Sequence, residues 1–423
     1  MNKCLVKKGW KRVKLRENVE IITGKTPPTK RKEFFGGEHP FITPTDITNF
    51  DVRYLEQTER YLSERGYDFQ KSLTIPPDST CYVAIGSTIG KMCMTKKLSF
   101  TNQQIHSIIT DKKIVDPFYL FYRLRIETPK IKAIADGKGS GKSIINKTEF
   151  SNLEIEIPPL EIQRKIAAIL SDYDDLIENN TRRIKILEEM AQTIYKEWFV
   201  KFRFPGYEKV KMVDSELGKI PEGWKVKRLE EIVEKKNEKY NETIHNKLPL
   251  LDLGRIPRNS LNVSNYGKSN EIKTSRIIFR EKDILFGAIR PYFHKIIFAP
   301  QDGITNVSVF VIRGRDNSFL QNYLFWFLFQ NQTVEWANKH SGGTKMPVIS
   351  WNVFSAMKLF IPSKEIIFKF NEIISPIMDE IILLNQKNHV LHQTRDLLLP
   401  KLISGEIDVE NLEIEQCKED ENG

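Results

Sequence analysis

The chain has 423 residues, with ten more Lys and Arg than Asp and Glu and a pI of 9.1. That length predicts two or three domains, each able to bury its own core, and the positive excess favours a polyanionic partner. Four cysteines without a CxxC pair exclude a metal finger or disulfide framework and fit a reducing cytoplasm; no signal peptide is expected, and the longest apolar run, 323–329, is far short of a membrane span.

The first segment, 1–157, mixes short strand-like runs with turn signals at Thr26-Pro27-Pro28, Gly36-Gly37 and Pro76-Pro77. Residues 158–205 follow as a long helix. It starts after Pro158-Pro159, carries an early Glu161, and has no internal Pro or Gly until Pro205-Gly206. About 40 residues make a rod of roughly 60 Å. Residues 206–361 have the texture of the first segment, and Gly223-Trp224-Lys225 echoes Gly9-Trp10-Lys11. A second long helix spans 362–410, its helical part stopping at Pro400, and 411–423 form an acidic tail predicted to be disordered.

The chain repeats itself. Thr101-Asn102 recurs as Thr305-Asn306, Tyr119-Leu120-Phe121 as Tyr323-Leu324-Phe325, Phe150 as Phe354, and Ile157-Pro158 as Ile361-Pro362. Each pair is displaced by one step of 204 residues (305 − 101), so the repeated unit is a domain plus a long helix. The two apolar runs inside it, at 119–122 and 323–329, are predicted to be buried helices.

Both long helices show coiled-coil spacing. The first seam reads Ile162, Ile166, Ile169 and Tyr173, then shifts by one residue to Ile177, Ile184, Leu187, Ala191, Ile194 and Trp198. The second reads Ile366, Phe370, Ile373 and Ile377, then Ile381, Leu384, Leu391 and Leu398. A shared interruption predicts that the helices pack on each other. If they run antiparallel about a pseudo-two-fold axis near 182 and 386, Asn180 faces Asn388 and the pair fixes the register. The predicted fold is therefore α+β: two similar α/β domains joined by two long antiparallel helices.

Catalytic signatures are near-misses. Gly137-Lys138-Gly139-Ser140-Gly141-Lys142-Ser143 leaves three residues between its outer glycines where a P-loop needs four, and 144–157 read as strand. It serves better as a basic loop beside phosphate. Pro77-Asp78 with Asp111-Lys112-Lys113 is only loosely nuclease-like. His389 and His392 lack further metal ligands, so no metal site is expected. No Ser-His-Asp or Asn-Pro-Pro-Tyr motif is present, and no catalytic residue is assigned.

Clusters of basic, amide and aromatic residues recur in both domains and suit a DNA duplex. In the first domain they are Lys25, Thr26, Lys30 and Arg31; Ser87, Thr88 and Lys91; Asn102, Gln103 and Gln104; and Lys138 and Lys142. In the second they are Arg255, Arg258, Arg290, Tyr292, Lys295, Asn306 and Lys345. Lys and Arg hold phosphates, while Asn, Gln and Arg pair bidentately with purine edges. Two alternatives are a stand-alone DNA-modifying enzyme and a structural coiled-coil or RNA-binding protein.

The same residues resemble the specificity subunits of type I restriction-modification systems. The likeness runs through Gly24-Lys25-Thr26-Pro27, Phe34-Phe35-Gly36-Gly37, Thr88-Ile89-Gly90-Lys91 and Thr101-Asn102-Gln103. It continues through Ile157-Pro158-Pro159-Leu160-Glu161, Asp283-Ile284-Leu285-Phe286-Gly287, Arg290-Pro291-Tyr292 and Leu399-Pro400-Lys401-Leu402. The resemblance implies two target-recognition domains, each reading half of a split DNA site, with the helices acting as a ruler. It also implies docking of two methyltransferase subunits and of restriction subunits. S-adenosylmethionine, ATP and magnesium would then belong to those partners, with no cofactor in this chain. Ile361-Pro362-Ser363-Lys364 departs from the pattern by lacking the second proline, and the unlike domains predict an asymmetric target.

Overall fold

The computed structural model describes residues 9–47, 53–55, 57–137, 143–245, 247–271, 274–315 and 319–413. Lys138, Lys142 and most of the acidic tail lie outside them. The chain divides into two compact units, Met1–Asp175 with Gln393–Gly423, and Leu176–His392. The division runs through both long helices, because opposite ends of each helix pack into different cores.

The first unit holds β1 (Lys11–Lys14), β2 (Val19–Thr23), β3 (Phe35–Ile42), β4 (Arg60–Leu62), α1 (Glu64–Phe69), β5 (Thr80–Val83), β6 (Met92–Met94), β7 (Phe100–Thr101), β8 (Ile105–Thr110), α2 (Pro117–Asp136), α3 (Lys147–Ser151) and β9 (Glu154–Ile157). The start of α4 (Leu160–Tyr195) and the end of the last long helix, from Gln393, complete it. An antiparallel sheet runs β2-β8-β5-β6, a mixed sheet runs β4-β3-β7 with β3 and β7 parallel, and β1 pairs antiparallel with β9. Asp116 caps α2 by accepting from the amides of Phe118 at 3.0 Å and Tyr119 at 2.9 Å, and Pro117 occupies its first turn. The helix then buries Tyr119, Leu120, Phe121, Tyr122 and Leu124 against the sheet.

The second unit holds β10 (Met212–Ser215), β11 (Gly218–Pro221), β12 (Lys225–Arg228), α5 (Leu229–Ile232), β13 (Val233–Lys236), β14 (Arg276–Phe279), β15 (Ile284–Gly287), β16 (Ile296–Phe298), β17 (Gly303–Asn306), β18 (Val309–Gly314), α6 (Gln321–Leu328), α7 (Asn331–Lys339), α8 (Trp351–Ser355), β19 (Lys358–Ile361) and most of α9 (Lys364–Ile403). Its four-stranded sheet, β13-β18-β15-β16, repeats the first unit's in order and register. Thr80 opposite Ile108 becomes Ile284 opposite Ile312, both displaced by 204. The core repeats too. Tyr82 packs on Phe150 at 5.0 Å and Phe286 on Phe354 at 4.4 Å. The Tyr119 hydroxyl donates to the Glu156 carbonyl at 3.2 Å, and the Tyr323 hydroxyl donates to that of Phe360. The predicted buried helices are thus α2 and α6.

The units diverge between their matched strands. The described residues of 25–71 include β3, β4 and α1, whereas those of 239–275 are mainly irregular, with isolated bridges at Lys239, Leu250 and Gly267. The offset falls from 214 (225 − 11) to 204 (284 − 80) across this stretch, so the second unit is ten residues shorter there (214 − 204).

The long helices are antiparallel in both units. Asp174 meets Arg395 in the first; in the second, Asn180 meets Asn388 and Arg183 meets Glu380. The buried stripes differ from the predicted seams at several positions. Tyr173 is half-buried and Asp174 takes the interior place, which accounts for the shift in the first seam. Ile373 is exposed and Ile374 is buried in its stead. Gln163, Asp174, Asn180 and Glu188 on α4, and Asn385, Asn388 and Arg395 on α9, make much of the interior polar. Pro400 does not end α9, which continues to Ile403 because Leu399, Leu402 and Ile403 are buried in the first unit's core. Within 144–157, read as strand, residues 147–151 form α3, closed by a capping box between Asn146 and Glu149.

Candidate nucleic-acid interface

In the first unit, five loops meet at one edge of the main sheet. The Gly24 amide donates to the Ile105 carbonyl at 3.4 Å, that of Asn102 to Ile42 at 3.2 Å, that of Ala84 to Gln104 at 2.8 Å, and that of Gly86 to Ser143 at 2.9 Å. Within this cluster Thr26 Oγ1 donates to Gln103 Oε1 at 2.8 Å, which orients an exposed amide. Asn102 is buried; its Oδ1 accepts the Gln104 amide at 3.0 Å, so it shapes the turn that presents Gln103 and Gln104. Ser87 is exposed and Thr88 half-buried on the next loop, and Lys25 is exposed on the first. Lys30 and Arg31 stand exposed on a following turn, Arg31 lying 5.6 Å from the Phe34 ring centre. The Lys91 ammonium, assigned to phosphate on sequence grounds, donates to the Ile47 carbonyl at 2.8 Å and ties two loops together.

The second unit builds the same frame from other residues. The Arg290 amide donates to Pro347 at 2.7 Å, as Gly86 does to Ser143, and the Ile349 and Ile145 amides close matching bonds of 3.0 Å to Ala288 and Ala84. The Lys295 ammonium bonds the Leu253 carbonyl, as Lys91 bonds Ile47. Burial, with Arg258 nearby, lowers the pKa of Lys295, against the pull of Asp252. Asn306 Oδ1 accepts the Ser308 amide at 3.1 Å, repeating the Asn102 turn. The repeat extends to backbone handedness. Gly86 and Gly90 have φ of 90° and 89°, while their counterparts Arg290 and His294 have 49° and 51°. Glycine adopts this region freely, but an L side chain there costs roughly 1 kcal/mol. His294 offsets part of that cost as a buried residue whose ring bonds the Phe329 carbonyl at 3.0 Å.

The second unit's cations fall into two groups. Arg255 is held by Asp252 at 3.1 Å and by Glu271, so it braces its loop. Arg258 is exposed with its guanidinium 4.0 Å from the Phe293 ring centre, and that of Arg290 lies 5.8 Å from the same ring. Tyr292, 48 % exposed, packs edge-on to Phe293 at 4.7 Å. Lys345 is exposed on the loop whose backbone meets Arg290. Asn180 and Asn388 sit apart from this surface, inside the helix pair.

Most of the P-loop-like stretch lies outside the described residues, and two other near-misses sit in ordinary local contacts. Lys112 pairs with Asp78 at 2.7 Å, and Asp78 is a left-handed turn residue matched by Lys282, with φ of 64° and 69°. The His389 ring packs on Tyr266 at 4.6 Å. Among the described residues no cluster of three or more His, Cys, Asp or Glu is placed to hold a metal, and no helix is long and apolar enough to cross a membrane.

Sequence reasoning passed over the polar residues that anchor these surfaces. Glu188 Oε2 accepts the Leu261 amide at 2.9 Å, and Asn385 accepts from Val263 at 2.7 Å and donates to the Leu261 carbonyl at 3.0 Å. Together they clamp the loop that leads back from Arg258. The signal was a polar residue at an interior helical position, visible at 188 and 385 once the stripe is traced in steps of three and four.

Comparison with known proteins agrees with this architecture. The family model described as the type I restriction modification DNA specificity domain matches residues 7–189 and again 221–393. The specificity subunit of the type I restriction enzyme MjaIX from Methanocaldococcus jannaschii is 29% identical over 96% of this chain and 95% of its own length. The HindI specificity subunit of Haemophilus influenzae is 35% identical over 43% of this chain and 39% of its own length. The crystal structure of a type I S subunit from M. genitalium has the same fold, with a TM-score of 0.58 and 16% identity over 95% of this chain and 97% of that one. With both copies of the domain matched over most of its length, the chain belongs to the type I restriction-modification specificity-subunit family.

Proposed function

We propose that this chain is the non-catalytic DNA-reading subunit of a type I restriction-modification complex. Each unit reads one half of a split, asymmetric duplex target, and the helix pair sets the gap between halves. The chain also scaffolds two methyltransferase subunits and restriction subunits, with S-adenosylmethionine, ATP and magnesium acting in those partners. The observation that supports this most directly is the loop frame at 86–91 and 290–295. One hydrogen-bonded scaffold carries Gly-Ser-Thr-Ile-Gly-Lys in one unit and Arg-Pro-Tyr-Phe-His-Lys in the other. A shared backbone with unlike side chains is what two readers of two unlike half-sites require.

The purified chain, incubated with duplex DNA and either S-adenosylmethionine or magnesium, is expected to neither methylate nor cut it. Adding the neighbouring methyltransferase is expected to produce sequence-specific adenine methylation. Methylation or cleavage by the chain alone overturns the reading.

A further inference from the structure

We infer that Arg290 reads a guanine in the half-site bound by the second unit; this rests on the function proposed above. At the matching place the first unit has Gly86, whose φ of 90° suits glycine alone. The second unit keeps the same left-handed backbone at φ 49° but carries the longest cationic side chain there. Strain of this kind persists where the side chain has work to do.

The backbone that aims Arg290 is fixed on both sides. Its amide is bonded to Pro347 at 2.7 Å, its carbonyl accepts the Phe293 amide at 2.9 Å, and Ile289 bridges to Val348. The guanidinium is not consumed in the fold. Its contacts are the Phe293 ring and the Lys345 carbonyl at 3.4 Å, and its Nε has no hydrogen-bond partner. Other arginines of this unit are neutralised: Arg255 by Asp252 and Glu271, Arg280 by Glu238 and Asp302, and Arg313 by Asp283. Among the described residues neither Arg290 nor Arg258 has an ion pair, although both lie against one phenylalanine ring.

Two guanidiniums set against one aromatic ring, neither in an ion pair among the described residues, require an acceptor-rich partner. The O6 and N7 edge of guanine offers two acceptors to a single fork, and phosphate oxygens offer them to the other. Arg290, half-buried and fixed from two loops, is the geometrically defined reader. Arg258, more exposed, is placed on the flanking backbone.

The test compares the wild type with Arg290→Gly and Arg258→Gln, each assembled with the partner methyltransferase. Methyl-adenines are mapped and binding is measured on duplexes substituted base by base. Glycine preserves the left-handed turn, so the variant keeps its fold. Arg290→Gly is expected to turn one guanine of one half-site into any base, with every other position and the spacer retained. Discrimination at that base falls roughly 5- to 150-fold. Arg258→Gln is expected to weaken binding alike on all sequences and to lower the salt slope by about one unit. An unchanged motif with uniformly weaker methylation, an unchanged motif at full strength, or a wild-type motif without guanine in the affected half would each overturn the assignment. No sequence-specific methylation by the wild type would instead overturn the function on which it rests.

Discussion

The side-chain amide of Asn180 donates to the carboxamide oxygen of Asn388 at 2.9 Å, with both residues buried between α4 and α9. A buried amide pair stabilises little but penalises any other register, since a shift breaks the bond between the two groups. Replacing one partner, as in Asn180→Leu, is expected to cost about 1–3 kcal/mol in denaturant unfolding. The double replacement Asn180→Leu/Asn388→Leu should recover most of that loss. Additive losses in the double-mutant cycle would show that the bond does not couple the helices.

A second buried polar contact joins the same helices in the first unit. Arg395 is fully buried and donates to Asp174 at 2.6 Å, and the Tyr122 hydroxyl donates to the other oxygen of that carboxylate at 2.6 Å. The displaced counterparts in the second unit are Ala191, Met378 and Trp326, all buried. Breaking the pair with Arg395→Ala alone is expected to cost roughly 3–5 kcal/mol, by stranding a buried charge. Importing the other unit's solution, Tyr122→Trp with Asp174→Met and Arg395→Ala, should restore a stable fold. Calorimetry of both variants decides this, and a triple variant no more stable than Arg395→Ala would contradict it.

Glu188 gives the second unit a pH dependence. Burial pushes its carboxyl up to about 7, although the Leu261 amide bonds it. A free Glu titrates near 4.3. Between these values the unfolded chain has lost the proton and the folded chain retains it. The contribution is therefore full below about pH 4.3 and disappears as pH rises through about 7. The loss amounts to at most about 4 kcal/mol by pH 8. Glu188→Gln, whose carbonyl can still accept the Leu261 amide, should flatten the stability profile over that window. It should also exceed the wild type at pH 8. Parallel pH profiles for the two proteins would refute the assignment.

Lys25 and Lys91 should separate by assay. Lys25 is exposed at the loop edge, so Lys25→Ala is expected to lower affinity on all duplexes and flatten the salt slope by about one unit. Lys91 is bonded to the Ile47 carbonyl, so Lys91→Met is expected to lower stability by about 1 kcal/mol. Thermal unfolding of Lys91→Met unchanged from the wild type would remove that tie from the account.

What could be read from residues alone follows from how the information is spread. The displacement by 204 was legible because anchors such as Tyr119 and Tyr323 fill equivalent core places and tolerate little change. The facing of Asn180 and Asn388 could be derived because a helical seam leaves few positions for a polar residue. The exchange of Tyr173 for Asp174, and of Ile373 for Ile374, could not. Periodicity places a stripe only to within one residue, and the partner that makes Asp174 a good interior residue, Arg395, lies 221 positions away. In the candidate interface, residue type picked out loops that the fold gathers together but could not separate Arg255, consumed by Asp252 and Glu271, from Arg258 and Arg290. The acidic partner Glu271 is 16 residues from Arg255 in sequence.

Two unlike readers on one frame dictate a split target with unlike halves. The most direct test is to co-express the chain with its neighbouring methyltransferase in a host lacking adenine methylation and to map methyl-adenines by long-read sequencing. A split motif with two different halves and a fixed gap, lost when this chain is omitted, is expected. A palindromic or continuous motif, or methylation that persists without the chain, would contradict it.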